Sequence, residues 1–465
     1  MSAPAIWIIL PLAVSVLLWI PRRGQAVTLL GGLSALLLAG MAWLVPFDTA
    51  LRFGPLSLKI TPSLQILGRQ FLLDAASQPL LTLIYGLAAL WFFGAETAGV
   101  ARQLIPLGMG IIALLVASLA VEPFLYAALL IEIAVLLAVP LLSPPRQKPA
   151  GGLVRFLIYQ TLAMPFILFA GWLLPGVEAS PGDLALAVQS ATMLGLGFAF
   201  LLAIFPLYSW IPMLIEETSP YVLGFILWIL PMVTVLFGTG FLDQYTWLRT
   251  SSQLPAVLRF GGLLMVVTGG AWAAFQRHLG RMLGYAAITE TGFSLLALSL
   301  APQTGIDLLF MLLIPRALGL AIWALSLSVL QAQVTPPRFG AVQGMARVYP
   351  LAAAGLILAH LSTAGFPLLA GFPIRLALWE SLAHQSLSTA FWFLIGILGL
   401  LTGAIRTTAV LVMAPENTAW ESRESRTQRI LIGLGVMALF ILGLFPQAVQ
   451  PWLADLPAMF VHLGR

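Results

Sequence analysis

Apolar residues run along this chain in stretches of about twenty, parted by short segments that gather most of its charges, prolines and glycines. A stretch of that length predicts a helix that crosses a bilayer, because about 20 residues rising about 1.5 Å each span the hydrocarbon core. Fourteen spans follow, at 4–20, 26–46, 71–93, 104–121, 124–142, 154–174, 187–208, 221–241, 257–275, 281–300, 307–330, 349–383, 388–413 and 429–447, the twelfth long and broken. The first is a retained helix rather than a cleaved signal, because no positive charge precedes it and Arg22 and Arg23 follow it. With about 21 residues in each span, the connections average roughly eleven. No soluble domain fits between them.

Composition narrows the class. Only 39 of 465 residues are charged, 22 Lys or Arg and 17 Asp or Glu, against about a quarter in a soluble domain. The expected fold class is therefore all-α integral membrane. The absence of Cys excludes disulfides and thiolate ligands for iron-sulfur or zinc sites. There is no P-loop, no Gly-x-Gly-x-x-Gly and no His-Glu-x-x-His, and the histidines at 278, 360, 384 and 462 are scattered. No cofactor, metal, catalytic nucleophile or redox site of its own is expected.

The net charge of +5 points to topology rather than to nucleic acid, since basic residues sit thinly between apolar runs. Odd-numbered connections hold Arg22, Arg23, Arg102, Arg146, Lys148, Arg155, Arg277, Arg281, Arg338, Arg347, Arg423, Arg426 and Arg429. Even-numbered connections and the C-terminal tail hold Arg52, Lys59, Arg69, Arg249, Arg259 and Arg465. Thirteen against six puts both termini on the outer side by the positive-inside rule. The mixed run Glu421, Arg423, Glu424, Arg426 and Arg429 reads as a solvated inner loop.

An internal repeat is visible. Phe205-Pro206-Leu207 followed by Pro212, and Phe366-Pro367-Leu368 followed by Pro373, share one internal spacing. Glu132 and Glu290 lie mid-span and are separated by nearly the same interval as the two Phe-Pro-Leu segments. Five spans separate each pair, an odd number, so the two units insert upside down relative to each other. Broken helices near the midplane of inverted repeats expose backbone groups where a pathway can satisfy them.

The charges left inside spans are Glu132, Glu290, Arg316 and Arg375, with Asp74, His360 and Arg406 as marginal cases. A charge at mid-membrane costs at least about 2.5 kcal/mol on insertion scales, so it faces an internal pathway or a partner. A buried carboxyl suits proton uptake and release. The alternative for Glu132 and Glu290 is a protonated acid held by one hydrogen bond. Guanidinium keeps its proton, so Arg316 and Arg375 either bias where a proton rests or form structural ion pairs. His360 either titrates or packs. Asp74 is placed near a helix end, and Arg406 snorkels from within about two turns of one.

Several stretches resemble a known family. The run from Arg277 to Phe293, Arg-His-Leu-Gly-Arg-Met-Leu-Gly-Tyr-Ala-Ala-Ile-Thr-Glu-Thr-Gly-Phe, is similar to Asp-Ile-Lys-Arg-Leu-Leu-Ala-Tyr-Ser-Ser-Ile-Ser-His-Met-Gly-Tyr. That pattern belongs to the antiporter-like membrane subunits of proton-pumping NADH:quinone oxidoreductase (respiratory complex I), related to multisubunit cation/proton antiporters and membrane-bound hydrogenases. Phe205 to Pro212 resembles Val-Pro-Leu-His-x-Trp-Leu-Pro, and Ala364 to Arg375 resembles Ala-Gly-Ile-Pro-x-x-x-Gly-Phe-x-x-Lys. Arg155-Phe156 falls where the family often has Lys-Tyr.

The resemblance implies 14 helices with two inverted five-helix repeats, each with a broken helix. It divides the chain into 1–103, N-terminal helices; 104–241, the first repeat; 257–413, the second; and 429–465, the last helix and tail. It also implies a proton path along a central axis, here Glu132, Glu290, Arg316, Arg375 and His360, with helix breaks at Pro206, Pro212, Pro367 and Pro373. Leu201 stands where the family has a seventh-helix Lys, a residue near Val233 replaces the eighth-helix Lys, and Glu290 replaces a tenth-helix His. The only lysines, Lys59 and Lys148, are in connections.

Two readings follow from the resemblance, a proton-translocating subunit of a complex I-like NAD(P)H:quinone oxidoreductase and a non-pumping structural or coupling subunit of the same kind of complex. A stand-alone cation/proton transporter is a third. The implied partners are other membrane subunits of an electron-transport complex, the lipid bilayer, and protons or Na⁺, with no nucleic acid. The implied location is the prokaryotic plasma membrane.

Overall fold

The computed structural model describes residues 2–21, 23–47, 50–53, 56–143, 151–180, 183–413 and 420–463. Arg22, Arg146, Lys148 and Arg465, counted above for orientation, lie outside these residues. Helices carry the architecture: α1 Ala5–Leu17, α2 Gly24–Leu44, α3 Gln78–Ala95, α4 Ala101–Ala120, α5 Ala127–Leu142, α6 Gly151–Ala179, α7 Leu184–Leu201 and α8 Trp210–Glu217. They continue with α9 Pro220–Gln244, α10 Leu254–Phe275, α11 Leu279–Leu298, α12 Pro302–Gln331, α13 Pro350–Thr363, α14 Phe372–Gln385, α15 Leu387–Val412 and α16 Arg426–Leu444. Proline occupies the first turn of α9, α10, α12, α13 and α14, where its missing N–H would have no helical partner in any case.

Among the described residues, eleven helices are long and apolar enough to cross a membrane, or twelve if the bent pair Phe339–Arg347 and Pro350–Thr363 forms one span. The chain is a multi-pass membrane protein. Helix α1 is shorter than these, and α11 carries Arg281, Thr289, Glu290, Thr291 and Ser294. The all-helical expectation needs one correction. Residues read as a plain connection form small antiparallel sheets, Ala50–Phe53 with Leu56–Lys59, and Ser63–Ile66 with Arg69–Leu72 and Val121–Glu122. The second hairpin turns through Leu67 and Gly68, both with positive φ, the backbone that a two-residue hairpin loop demands.

Burial is uneven and locates the core. Nearly all of α9 and α11 is buried, as are most of α4 and α12, whereas α7, α10 and α16 leave most of their apolar surface outward. A helix buried on every side belongs to the centre of the bundle. Helix α11 is packed between α10, α12, α8 and α9.

Two predicted spans end differently from their sequence boundaries. The span at 187–208 stops at Leu201, and that at 349–383 is two helices, α13 and α14. The reason is the same termination in both. In the first, the N–H of Ile204 reaches the Ala199 carbonyl at 2.9 Å and that of Ala203 reaches Phe200 at 3.2 Å. In the second, Phe366 reaches Leu361 at 2.9 Å and Gly365 reaches Ser362 at 3.0 Å. Every donor and acceptor of the first termination maps onto its counterpart in the second by one constant shift along the chain. Ala203 and Gly365 adopt φ of 51° and 71°, the left-handed residue that closes a helix C-terminus. Pro206 lies just past the first termination, with Pro212 in α8. Pro367 lies past the second, with Pro373 in the first turn of α14.

The mixed charge run before α16 is not wholly solvated. Glu424 is buried and accepts from the Ala352 N–H at 2.7 Å, capping the first turn of α13. Glu217 does the same for α6, accepting from Gly152 at 2.8 Å and Leu153 at 3.1 Å. Asp74 caps the turn Ala75–Ser77.

Candidate functional site

The second helix break brings together three of the charges picked out from the sequence. Glu290, at the middle of α11, is 2% exposed, Arg375 in the first turn of α14 is 4% exposed and Arg316 on α12 is 3% exposed. Arg375 forms an ion pair with Glu290 through Nη2 and Oε1. Its guanidinium also lies over the Phe293 ring, 4.1 Å from the centroid, one helical turn past Glu290. A charge taken out of water is tolerated when paired and hydrogen-bonded, and this pair supplies both.

Arg316 is held by a defect in a neighbouring helix. It donates to the Leu227 carbonyl at 2.9 Å and to Thr291 Oγ1 at 3.0 Å. Four residues after Leu227 in α9 comes Pro231, which has no N–H, so this carbonyl is an orphan within its own helix. Arg316 therefore answers an unmet acceptor while standing within electrostatic reach of both Glu290 and Arg375. One carboxylate and two guanidiniums leave the cluster at a formal +1. Among the described residues, Glu290 Oε2, Arg316 Nε and Arg375 Nη1 have no hydrogen-bond partner, so the cluster can accept further polar contacts.

Glycines make the break compact enough for this. A Cβ on Gly371 would fall 1.8 Å from the Ser362 carbonyl oxygen, and one on Gly365 would fall 2.9 Å from Arg375 Cγ. Arg375 then reaches the last turn of α13, with Nε 3.5 Å from the Thr363 carbonyl.

Residues 183–403, which contain this cluster and both helix breaks, match the family model described as NADH:quinone oxidoreductase/Mrp antiporter, transmembrane. Over these residues the chain is similar to this antiporter-like family. It is 27% identical over 456 residues to NADH-quinone oxidoreductase subunit 14 of Thermus thermophilus, covering 93% of this chain and 94% of that protein. A chain of respiratory complex I from Thermus thermophilus shares the fold with a TM-score of 0.78, at 20% identity, over 99% of this chain and 100% of that one. A chain of an archaeal membrane-bound sulfane sulfur reductase gives 0.80 at 16% identity, over 99% and 98%.

The other candidate residues of this chain stay apart from the cluster. Glu132 is half-buried on α5 and accepts from Thr161 of α6 at 2.8 Å. The exposed Leu129, Ile133 and Leu136 share its helix. It is not the deeply enclosed carboxyl that its isolation in sequence led us to expect, because α5 sits toward the outside of the bundle. His360 is fully buried against Trp323, ring centroids 4.2 Å apart, and neither ring nitrogen makes a hydrogen bond of normal geometry. Arg406 donates to the Ala274 carbonyl rather than only snorkelling.

Sequence reasoning missed Gln160, Thr291 and Phe293. Gln160 on α6 is 1% exposed and reaches the Phe200 and Leu201 carbonyls at the first helix break, at 3.4 and 3.3 Å. Leu201 maps onto Thr363 by the same shift that relates the two terminations, so Gln160 and Arg375 serve matching carbonyls at the two breaks. A small cavity joins Gln160, Leu201, Ala203, Met265 and Thr291, and its lining is mostly apolar. Pro231, four residues beyond Leu227, was the available sequence signal for an orphan carbonyl. Gln160 had none, since only the fold brings it to the break.

Proposed function

We propose that this chain is a membrane subunit of a complex I-like NADH:quinone oxidoreductase and takes part in proton translocation at the Glu290, Arg375 and Arg316 cluster. The observation that carries this reading is a titratable carboxyl paired with a buried guanidinium beside a broken membrane helix. Glu290 takes up and releases the proton. Arg375 holds the ionised form, and protonation of Glu290 frees it, so the pair works as an electrostatic switch at a fixed arginine charge. Arg316, tied to Leu227 and Thr291, keeps a second positive charge beside the carboxyl. Glu132 and His360 belong to the same path in this reading, as outlying groups reached through water. The name of the Thermus relative supports assignment to such a complex.

The test is E290Q in the reconstituted complex, with E132Q alongside. E290Q removes proton transfer and leaves assembly intact. Unchanged transfer in both variants overturns the reading.

A second reading, a structural or coupling subunit, has its own support. The cavity at the first break is lined mostly by apolar side chains, Leu201 among them, and Glu132 stands outside the cluster. Under this reading both variants pump normally while loss of the chain stops assembly. A stand-alone transporter for H⁺ or Na⁺ requires instead that the purified monomer carry ion flux in liposomes.

The fold-level proposals go with these. The matching terminations and the matched carbonyls support two inverted five-helix repeats at 104–241 and 257–413. Counting α1, α11 and the broken α13–α14 segment as crossings gives the fourteen-helix reading. Both termini outside a prokaryotic plasma membrane, and neighbouring membrane subunits as partners, complete the proposal.

A further inference from the structure

A cleft of about 1020 Å³ opens where α10 ends and α11 begins, beside the last turns of α15. Its wall brings together Arg277, Arg281, Arg338 and Arg406 with His278 and a single carboxylate, Glu216. That carboxylate is already engaged, with Oε1 2.8 Å from Arg281 Nε. Among the described residues, Arg277, Arg338 and Arg406 have no ion pair. Four guanidiniums against one carboxylate leave the cleft at a formal +3.

The backbone holds the arginines side by side. The segments carrying Arg277 and Arg338 are zipped together by two backbone hydrogen bonds, Leu279 N–H to the Pro337 carbonyl at 3.0 Å and Phe339 N–H to the Arg277 carbonyl at 2.9 Å. Arg406 is tied to the Ala274 carbonyl, with its guanidinium 5.3 Å from the Phe339 ring centroid. Three separate segments bring them to one concavity, with Arg277 and Arg338 at its exposed rim, and like charges gathered around one cleft call for an anion.

The surroundings are those of an amphipathic anion. The last turns of α10 expose Trp272 and Phe275, and the final turns of α15 expose Ile405, Val412 and Met413. Basic pockets between membrane helices hold lipid head groups, and tryptophan favours the head-group level. We propose that this cleft is a binding site for an anionic phospholipid, its phosphate held by Arg277, Arg338 and Arg406 and its acyl chains lying along α10 and α15.

The experiment is native mass spectrometry and lipid titration of the full chain in mild detergent, with phosphatidylglycerol, phosphatidylcholine and inorganic phosphate as probes. Phosphatidylglycerol binds and phosphatidylcholine does not. R277Q and R338Q each weaken binding about five-fold, and together about 25-fold, at roughly one factor per charge beside an anionic head group. R277K/R338K keeps the charge and retains binding, which guards against a misfolded Gln pair. R426Q/R429Q, charge-matched and away from the cleft, leaves binding unchanged. Equal binding of phosphatidylcholine, an unaltered affinity in R277Q/R338Q, or full competition by inorganic phosphate at matched concentration overturns the proposal. The last would mark a free-anion site.

Discussion

Replacing Glu290 by Gln and Arg375 by Met, singly and together, tests the cluster as a unit. The unaltered cluster has one carboxylate and two guanidiniums, all at most 4% exposed, a formal +1. E290Q raises this to +2 with no buried counterion, whereas R375M lowers it to zero because Arg316 remains. The double variant returns to +1. At about 3 Å and an effective dielectric near 20, a pair attraction is about 5 kcal/mol, much of it offset by desolvation. Removing one partner of such a pair costs about 3–5 kcal/mol, while replacing both with neutral groups of similar size is nearly neutral. E290Q is therefore expected to cost about 3–5 kcal/mol and R375M less, since its residual charges balance. The double variant should be more stable than the sum of the singles by at least about 2 kcal/mol, near the upper range of measured couplings. Unfolding of the purified chain in mixed SDS micelles gives all four corners of the cycle. Additivity within about 0.5 kcal/mol, or an R375M more damaging than E290Q, would refute the electrostatic account of the site.

Three further outcomes follow from the same geometry. R316M strands the Leu227 carbonyl and costs about 1–3 kcal/mol; adding P231A restores a helical N–H to that carbonyl, and a double variant no more stable than R316M in the same unfolding assay refutes the orphan-carbonyl argument. G371A drives a methyl against the Ser362 carbonyl and lowers thermal stability by about 1–3 kcal/mol, whereas G40A, with open space around it, is neutral or stabilising; equal melting temperatures would contradict the tight break. His278 caps α11 as an acceptor, its Nδ1 taking the Gly280 N–H at 3.1 Å, and burial holds its pKa below the ordinary 6.5, with Arg281 and Arg338 adding to burial and Glu216 opposing it. As pH falls through 6.5 the unfolded chain takes a proton that the folded chain resists, so stability declines toward acid until the lowered folded-state value is passed. H278N keeps a cap without titrating and flattens the stability profile below pH 6.5; an unchanged profile counts against that cause.

The sequence carried the membrane class and the places where helices break. Charge-free runs of about twenty residues and the two Phe-Pro-Leu segments are local signals, since a helix crosses or breaks according to residues within a few turns. Leu201 and Val233, at and near the positions where the resemblance led us to expect lysines, are both buried in the core. The termination of α7 was less legible. Its left-handed residue is Ala203 where the second break uses Gly365, so the glycine that marks one break is missing from the other, and the predicted span ran on to residue 208. The buried Glu424 was misread because a charge in a connection looks the same whether it faces water or caps a neighbouring helix.

What the sequence by itself determined was which residues are too polar for the apolar spans that carry them: Glu132, Glu290, Arg316 and Arg375. Only the tertiary structure decided which of them meet. Glu290 and Arg375 are 85 residues apart, and α11 and α14 bring them into contact, while Glu132, equally isolated in sequence, stays on an outer helix with Thr161. Arg316 finds its carbonyl on α9 and Gln160 finds the first break from α6, pairings that no periodicity encodes. The physical reason is that insertion cost belongs to one residue and can be read from one position, whereas pairing energy belongs to two and exists only after the helices have packed.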